Sequence, residues 1–169
     1  MEGQSLWDNG GKWLQKAFTT LGIDGDICFE GIPEVKTSYF GTGYGELNDP
    51  KQIHASNPTE KIKGAFLNTK VGMGHADKYI GPELGCAYKL REHASEDKPI
   101  YFIKCAFSGS GFQQGNDISW ALNEGKAHTL YDDYFKPFVS NNLALIEEET
   151  GLKPVIKGFL WHQGESDCD

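Results

Sequence analysis

The chain has 169 residues and a formal net charge of -8, with 38% hydrophobic and 24% charged residues. That size supports one domain around a single core, and no apolar run approaches the roughly 20 residues that a membrane-spanning helix needs. The acidic balance argues against a nucleic-acid partner, which requires clustered Lys and Arg; the nearest basic cluster, Lys61-Ile62-Lys63, reads as solvated surface.

Along the chain, residues 11–22 set Trp13, Leu14, Ala17, Phe18 and Leu21 at helical spacing, and Gly22 supplies the stop. Ile27-Cys28-Phe29, bounded by Gly25 and Gly31, reads as a short buried strand. Residues 31–80 are rich in Gly, Pro, Asn, Lys and Tyr without a sustained period, which predicts a long loop-rich insertion. Gly41, Gly43 and Gly45 suit a mobile loop within it. Pro82 opens a helix that aligns Leu84, Ala87, Tyr88 and Arg91 on one face.

Residues 99–107 are nearly continuously apolar, the strongest strand signal in the chain, and run straight into Ser108-Gly109-Ser110-Gly111. Between Tyr131 and Thr150 the positions Tyr134, Phe135, Phe138, Val139, Leu143 and Ile146 trace a helix face, with Pro137 in its first turn and Gly151 ending it. Residues 155–161 make a last strand. Apolar strands alternating with helices predict an α/β fold, a three-layer α/β/α sandwich around a parallel sheet, in one domain spanning residues 1–169. Chemistry in such folds gathers beyond the carboxyl ends of the strands. Ser108–Gly111 and His162–Asp167 both fall there, so the topology brings two distant motifs together.

Cys28, Cys86, Cys105 and Cys168 are widely spaced without a C-x-x-C pair, and three of them sit in apolar strand or helix patterns. Buried free thiols are expected rather than a disulfide framework. His54, His75, His93 and His128 lack ligand spacing, with His75 and Asp77 the nearest candidates, so no metal and no organic cofactor is expected. Neither an n-region nor an h-region is visible at Met1. The compartment stays open, and a truncated start would suit an extracellular or periplasmic protein.

Two segments carry the chemistry. Gly3-Gln4-Ser5 offers a serine hydroxyl on a tight turn, which suits either a helix cap or a nucleophile. Trp161-His162-Gln163-Gly164-Glu165-Ser166-Asp167 sets a carboxamide and two acids directly after an apolar run. A serine ester hydrolase needs a nucleophile and neutral donors aimed at a developing oxyanion, and a carboxamide donates without competing as a nucleophile. Glu165 and Asp167 could pair as in glycoside hydrolysis, but two-residue spacing on a turn favours fixing the loop through backbone N–H groups. Glu83 suits a helix N-terminus. Gly109-Ser110-Gly111 is not followed by an apolar helix, so it fails as a dinucleotide loop. Trp7, Tyr39, Phe40, Tyr44 and Trp120 either stack on sugar faces or cap the core.

Gly3-Gln4-Ser5, Gly81-Pro82-Glu83, Cys105-Ala106-Phe107-Ser108-Gly109-Ser110 and Trp161-His162-Gln163-Gly164-Glu165-Ser166-Asp167 occur in that order. In this the chain resembles the SGNH-hydrolase superfamily, specifically the carbohydrate acetylesterases akin to carbohydrate esterase family 6 and the sialate O-acetylesterases. The resemblance implies Ser5 as nucleophile, with oxyanion donors from its own N–H, from Gly109 and from the amide of Gln163. Ser108, Glu83, His162, Glu165 and Asp167 support the site, His162 as part of the turn. The implied substrate is acetylated carbohydrate, attacked without a cofactor, with neither nucleic acid nor membrane as partner.

The sequence departs from that family at three points. Only Met1-Glu2 precede Gly-Gln-Ser where the family has an apolar strand, and Leu6 replaces the family's Asn. No Asp-x-x-His, the family's source of the base, occurs. A fragment is therefore expected, incomplete at both ends, with the base supplied by a missing segment. The alternatives are a non-catalytic carbohydrate-binding or interaction module, and a lipid or acyl esterase of the same superfamily.

Overall fold

The computed structural model describes residues 5–6, 12–41, 63–73, 79–107, 110–112, 119–120, 129–164 and 167. Strand β1 (Ser5–Leu6) is followed by helix α1 (Lys12–Thr20), the short helix α2 (Ile27–Glu30), and strands β2 (Ile32–Gly41), β3 (Leu67–Thr69) and β4 (Tyr79–Ile80). Helix α3 (Pro82–Leu90), strand β5 (Ile100–Ala106) and helix α4 (Lys136–Thr150) complete the series. A π-helical turn (Tyr131–Phe135) leads into α4.

β2 is the centre of the sheet. It pairs in parallel with β5, from Val35 opposite Ile100 to Gly41 opposite Ala106, and antiparallel with β3. β1 and β4 form a separate antiparallel pair. The architecture is mixed α/β around a small, partly parallel sheet, whereas an all-parallel sheet was expected. Side chains of a strand alternate between its faces. Ile103 and Cys105 of β5 thus join Phe40, Phe107, Trp120, Leu130 and Phe138, while Ile100 and Phe102 join Cys28, Ile32, Val35, Leu84 and Ala87.

The helices follow their sequence signals. α1 ends where Gly22 adopts φ +71°, and its Leu14 and Phe18 pack on the second cluster. α3 begins at Pro82 and buries Leu84 and Ala87; Tyr88 lies under the Arg91 guanidinium at 3.8 Å. α4 buries Phe138, Asn142 and Ile146, a stripe at four-residue spacing, and ends at Gly151 with φ +68°.

Four expectations are corrected. Ile27-Cys28-Phe29 is helical, because the Asp24 carboxylate accepts the Asp26 N–H at 3.0 Å and the Phe29 and Glu30 N–H groups bond Asp26 O at 2.9 Å, which starts a helical turn. The supposed loop-rich stretch 31–80 holds the central strand. Its polar middle is self-satisfied: Thr69 Oγ1 donates to Val35 O at 2.7 Å, so Thr37 donates to Thr69 Oγ1 at 2.8 Å, and Ser38 Oγ accepts the Ala65 N–H. Residues 155–161 form no strand. Ring contacts from Phe159 to Phe135 and from Trp161 to Trp120 hold them in place of ladder hydrogen bonds. Cys28 is buried and Cys105 half-buried, but Cys86 is exposed on the outer face of α3; all three are free thiols.

Candidate functional site

β5 delivers Phe107 and, three residues on, Ser110, which is only 3% exposed. Ser110 Oγ donates to Phe107 O at 2.6 Å and accepts from Trp120 Nε1 at 2.8 Å and from Gln163 Nε2 at 3.0 Å. One donor and two lone pairs are all a hydroxyl has. The saturated Ser110 is therefore a structural hub and not a nucleophile.

Gln163 Nε2 also donates to Ser110 O. A carbonyl only accepts, so this contact fixes the amide orientation, and Gln163 Oε1 accepts the Gly164 N–H at 3.1 Å. The two motifs thus meet directly. In this arrangement both Nε2 hydrogens are taken by Ser110, and donation to a ligand requires one of them to swing away.

Asp167 locks the other side of the same junction. Both its carboxylate oxygens accept the Phe112 N–H, at 2.8 and 2.9 Å, and its own N–H bonds Gly164 O at 3.1 Å. A Cβ at Gly111 would stand 2.6 Å from Asp167 Oδ1, so glycine is what lets the backbone approach the carboxylate. Burial pushes up the hydroxyl pKa of Tyr134, whose ring meets Phe107 at 5.9 Å, and the Asp133 charge adds to the effect.

A second cluster borders the strand that carries Ser5. Ser5 registers opposite Ile80, one residue before Gly81. The Gly81 N–H donates to Glu83 Oε1 at 3.2 Å, and Glu83 Oε2 pairs with Lys104 Nζ at 3.0 Å. Both side chains are nearly buried, 6% exposed for Glu83 and 11% for Lys104. Lys104 Nζ also donates to Met73 O at 2.7 Å and lies 4.7 Å from the centre of the Tyr39 ring. One β5 lysine therefore joins the 71–73 turn, the β2 terminus and the start of α3.

Ser108, Gly109 and Glu165 lie outside the described residues. His162 is exposed at the turn. Sequence reasoning missed Lys104 and the hub role of Ser110. The signal for Lys104 was available: a lone cation inside an apolar strand run needs a buried carboxylate partner. The two readings of the aromatics resolve for three of the five. Tyr39, Phe40 and Trp120 are core residues at 2%, 2% and 7% exposure, whereas Trp7 and Tyr44 lie outside the described residues. Among the described residues no group of three or more His, Cys, Asp or Glu is placed to hold a metal ion, and no helix is long and apolar enough to cross a membrane.

The family model described as carbohydrate esterase, sialic acid-specific acetylesterase matches residues 39–169. The matched span contains Glu83, Gly109, Gln163 and Asp167 and leaves Ser5 outside it. No curated protein and no solved structure matches the chain.

Proposed function

As the chain belongs to the sialic acid-specific acetylesterase family of carbohydrate esterases, we propose that it is a serine ester hydrolase that removes O-acetyl groups from carbohydrate. The family match over most of the chain carries this reading. The scaffold would be the three-layer α/β/α sandwich, and the first cluster on β5 supplies an ordered floor for the site.

In the proposed reaction Ser5 Oγ attacks the acetyl carbonyl and its proton passes to a base. The oxyanion rests on the N–H groups of Ser5 and Gly109 and on the Gln163 amide. The sugar alcohol leaves with a proton, and water then releases acetate from the acyl-serine. Glu83 and Lys104 act as positioning residues, since the strand that pairs with Ser5 turns directly into α3 beneath their ion pair. Asp167 holds the turn that carries Gln163. The base would come from an Asp-x-x-His pair of the kind the family uses, which these 169 residues do not contain.

A non-catalytic glycan-binding module is the second reading. It is favoured by the engagement of both Gln163 Nε2 hydrogens with Ser110. Acetate release from acetylated xylan and from O-acetylated sialic acid separates the two. The esterase reading expects release by the full-length protein, base segment included, that falls to background in Ser5→Ala; equal release by both would refute it.

A further inference from the structure

The Gln163 carboxamide can meet the loop after β5 in two ways, with its NH2 group or with its carbonyl turned towards Ser110. The two ends have nearly the same shape, so hydrogen-bond chemistry decides between them. Three neighbouring groups fix the choice. Ser110 O only accepts, and it takes one Nε2 hydrogen. Phe107 O also only accepts, so it commits the single proton of Ser110 Oγ at 2.6 Å. Trp120 Nε1 only donates, and it fills one lone pair of that same oxygen at 2.8 Å.

A second lone pair is left on Ser110 Oγ, and Gln163 Nε2 donates to it at 3.0 Å. A flipped amide would set Oε1 against two oxygens with no proton between them. At its other end the flip would turn Nε2 onto the Gly164 N–H, which Oε1 now accepts at 3.1 Å. Ser110 and Trp120 are buried, 3% and 7% exposed, where mismatched polar groups are costly. Trp120 is held in place as well: its backbone N–H bonds Gly111 O at 2.8 Å, and its ring meets Phe107 in a T-shaped contact at 5.8 Å.

We propose that Ser110 and Trp120 are positioning residues, which together key the Gln163 carboxamide to present N–H and not C=O to the acyl oxygen of the substrate. The inference rests on reading the chain as an esterase with Gln163 as an oxyanion donor. The hydrogen lent to the oxyanion is the one now on Ser110 Oγ. When it leaves, that hydroxyl still donates to Phe107 O and accepts from Trp120, so no buried donor is orphaned. The hydrogen on Ser110 O stays and holds the amide the right way round. A donor aimed in advance stabilises the developing charge without reorganisation, whereas a carbonyl in the same place would repel it.

Steady-state acetate release by the full-length protein, base segment included, tests the proposal, together with NMR of its Gln163 side-chain amide. Ser110→Ala, assayed below its melting transition, should lower kcat by about tenfold with KM little changed, because an unkeyed amide turns its carbonyl forward part of the time. In a Gln163→Ala background the same substitution should change kcat no further. Trp120→Phe keeps an aromatic ring and removes the donor that commits Ser110. It should lower kcat less, and it keeps the test open if Ser110→Ala does not fold. Undiminished kcat in the folded variants, or equal losses with and without Gln163, would overturn the proposal. Solvent exchange of the Gln163 Nε2 hydrogens separates the two readings. No acetate from wild type, with exchange quickened by Ser110→Ala, sinks the esterase reading alone; acetate released with exchange and kcat both unchanged in Ser110→Ala sinks the keying alone.

Discussion

Gln163 Nε2 lies 3.0 Å from Ser110 Oγ, joining the loop after β5 to a turn 53 residues further along the chain. The same oxygen receives the Trp120 indole N–H at 2.8 Å. Replacing Ser110 with Ala removes the acceptor of the buried Trp120 indole N–H and of one hydrogen of the half-buried Gln163 amide, an effect typically of about 1–3 kcal/mol. For a chain of this length that corresponds to roughly 2–4 °C of melting temperature per kcal/mol. Thermal unfolding of Ser110→Ala should show this loss, and an unchanged Tm would mean that the hub carries no stability.

Gln163 should matter to turnover in a different way. If its amide donates to the oxyanion, Gln163→Ala lowers kcat by about a hundred- to a thousand-fold with little change in KM. A fall in Tm without a fall in kcat would assign Gln163 to the turn alone.

The Lys104–Glu83 pair predicts a non-additive cycle. Lys104→Met leaves the Glu83 carboxylate buried without its charge partner, which typically costs about 3–5 kcal/mol. Glu83→Leu in the same chain removes the orphan charge and should recover most of that loss. Chemical denaturation of the two singles and the double measures the coupling; strictly additive losses would show that the pair does not act as a unit.

The thiols give a pH-dependent readout. Burial pushes the pKa of Cys28 and Cys105 above the ordinary thiol value of 9.0, while Cys86 is exposed. Of these three, Cys86 should be alkylated first by iodoacetamide in the native chain. A thiol whose pKa is raised on folding contributes stability that is fully present below the unfolded value. That stability is lost as pH rises past 9.0 towards the folded value. Tm should therefore fall on alkaline titration, and less steeply in Cys105→Ala; a slope unchanged by that substitution would refute the assignment.

Local signals in the sequence were sound where they rest on backbone chemistry. Pro82, Gly22 and Gly151 mark helix boundaries because a fixed φ and a left-handed φ are needed there. Strand β5 was legible from its apolar run. Strand β2 was hidden because Lys36, Thr37 and Ser38 interrupt the apolar pattern, and their partners Thr69 and Ala65 are about thirty residues away. The run 155–161 looked like a strand, but composition does not reveal that Phe135 and Trp120 would hold its aromatics outside the sheet. At the candidate site, the Gln163 motif was expected beside the β5 loop because a strand over 155–161 would end next to β5; that strand does not form, and Ser110 and Gln163 make the contact instead. The hub role of Ser110 was not legible, since it depends on tertiary neighbours, whereas Lys104, a lone cation in an apolar run, signalled a buried partner without identifying Glu83.

The central claim is that Ser5 is an activated nucleophile, and intact-mass analysis after incubation with a fluorophosphonate ester tests it most directly. One adduct on the folded full-length protein, base segment included, and none on its Ser5→Ala variant, is the predicted result. No adduct on that protein, or an adduct that persists in Ser5→Ala, would contradict it.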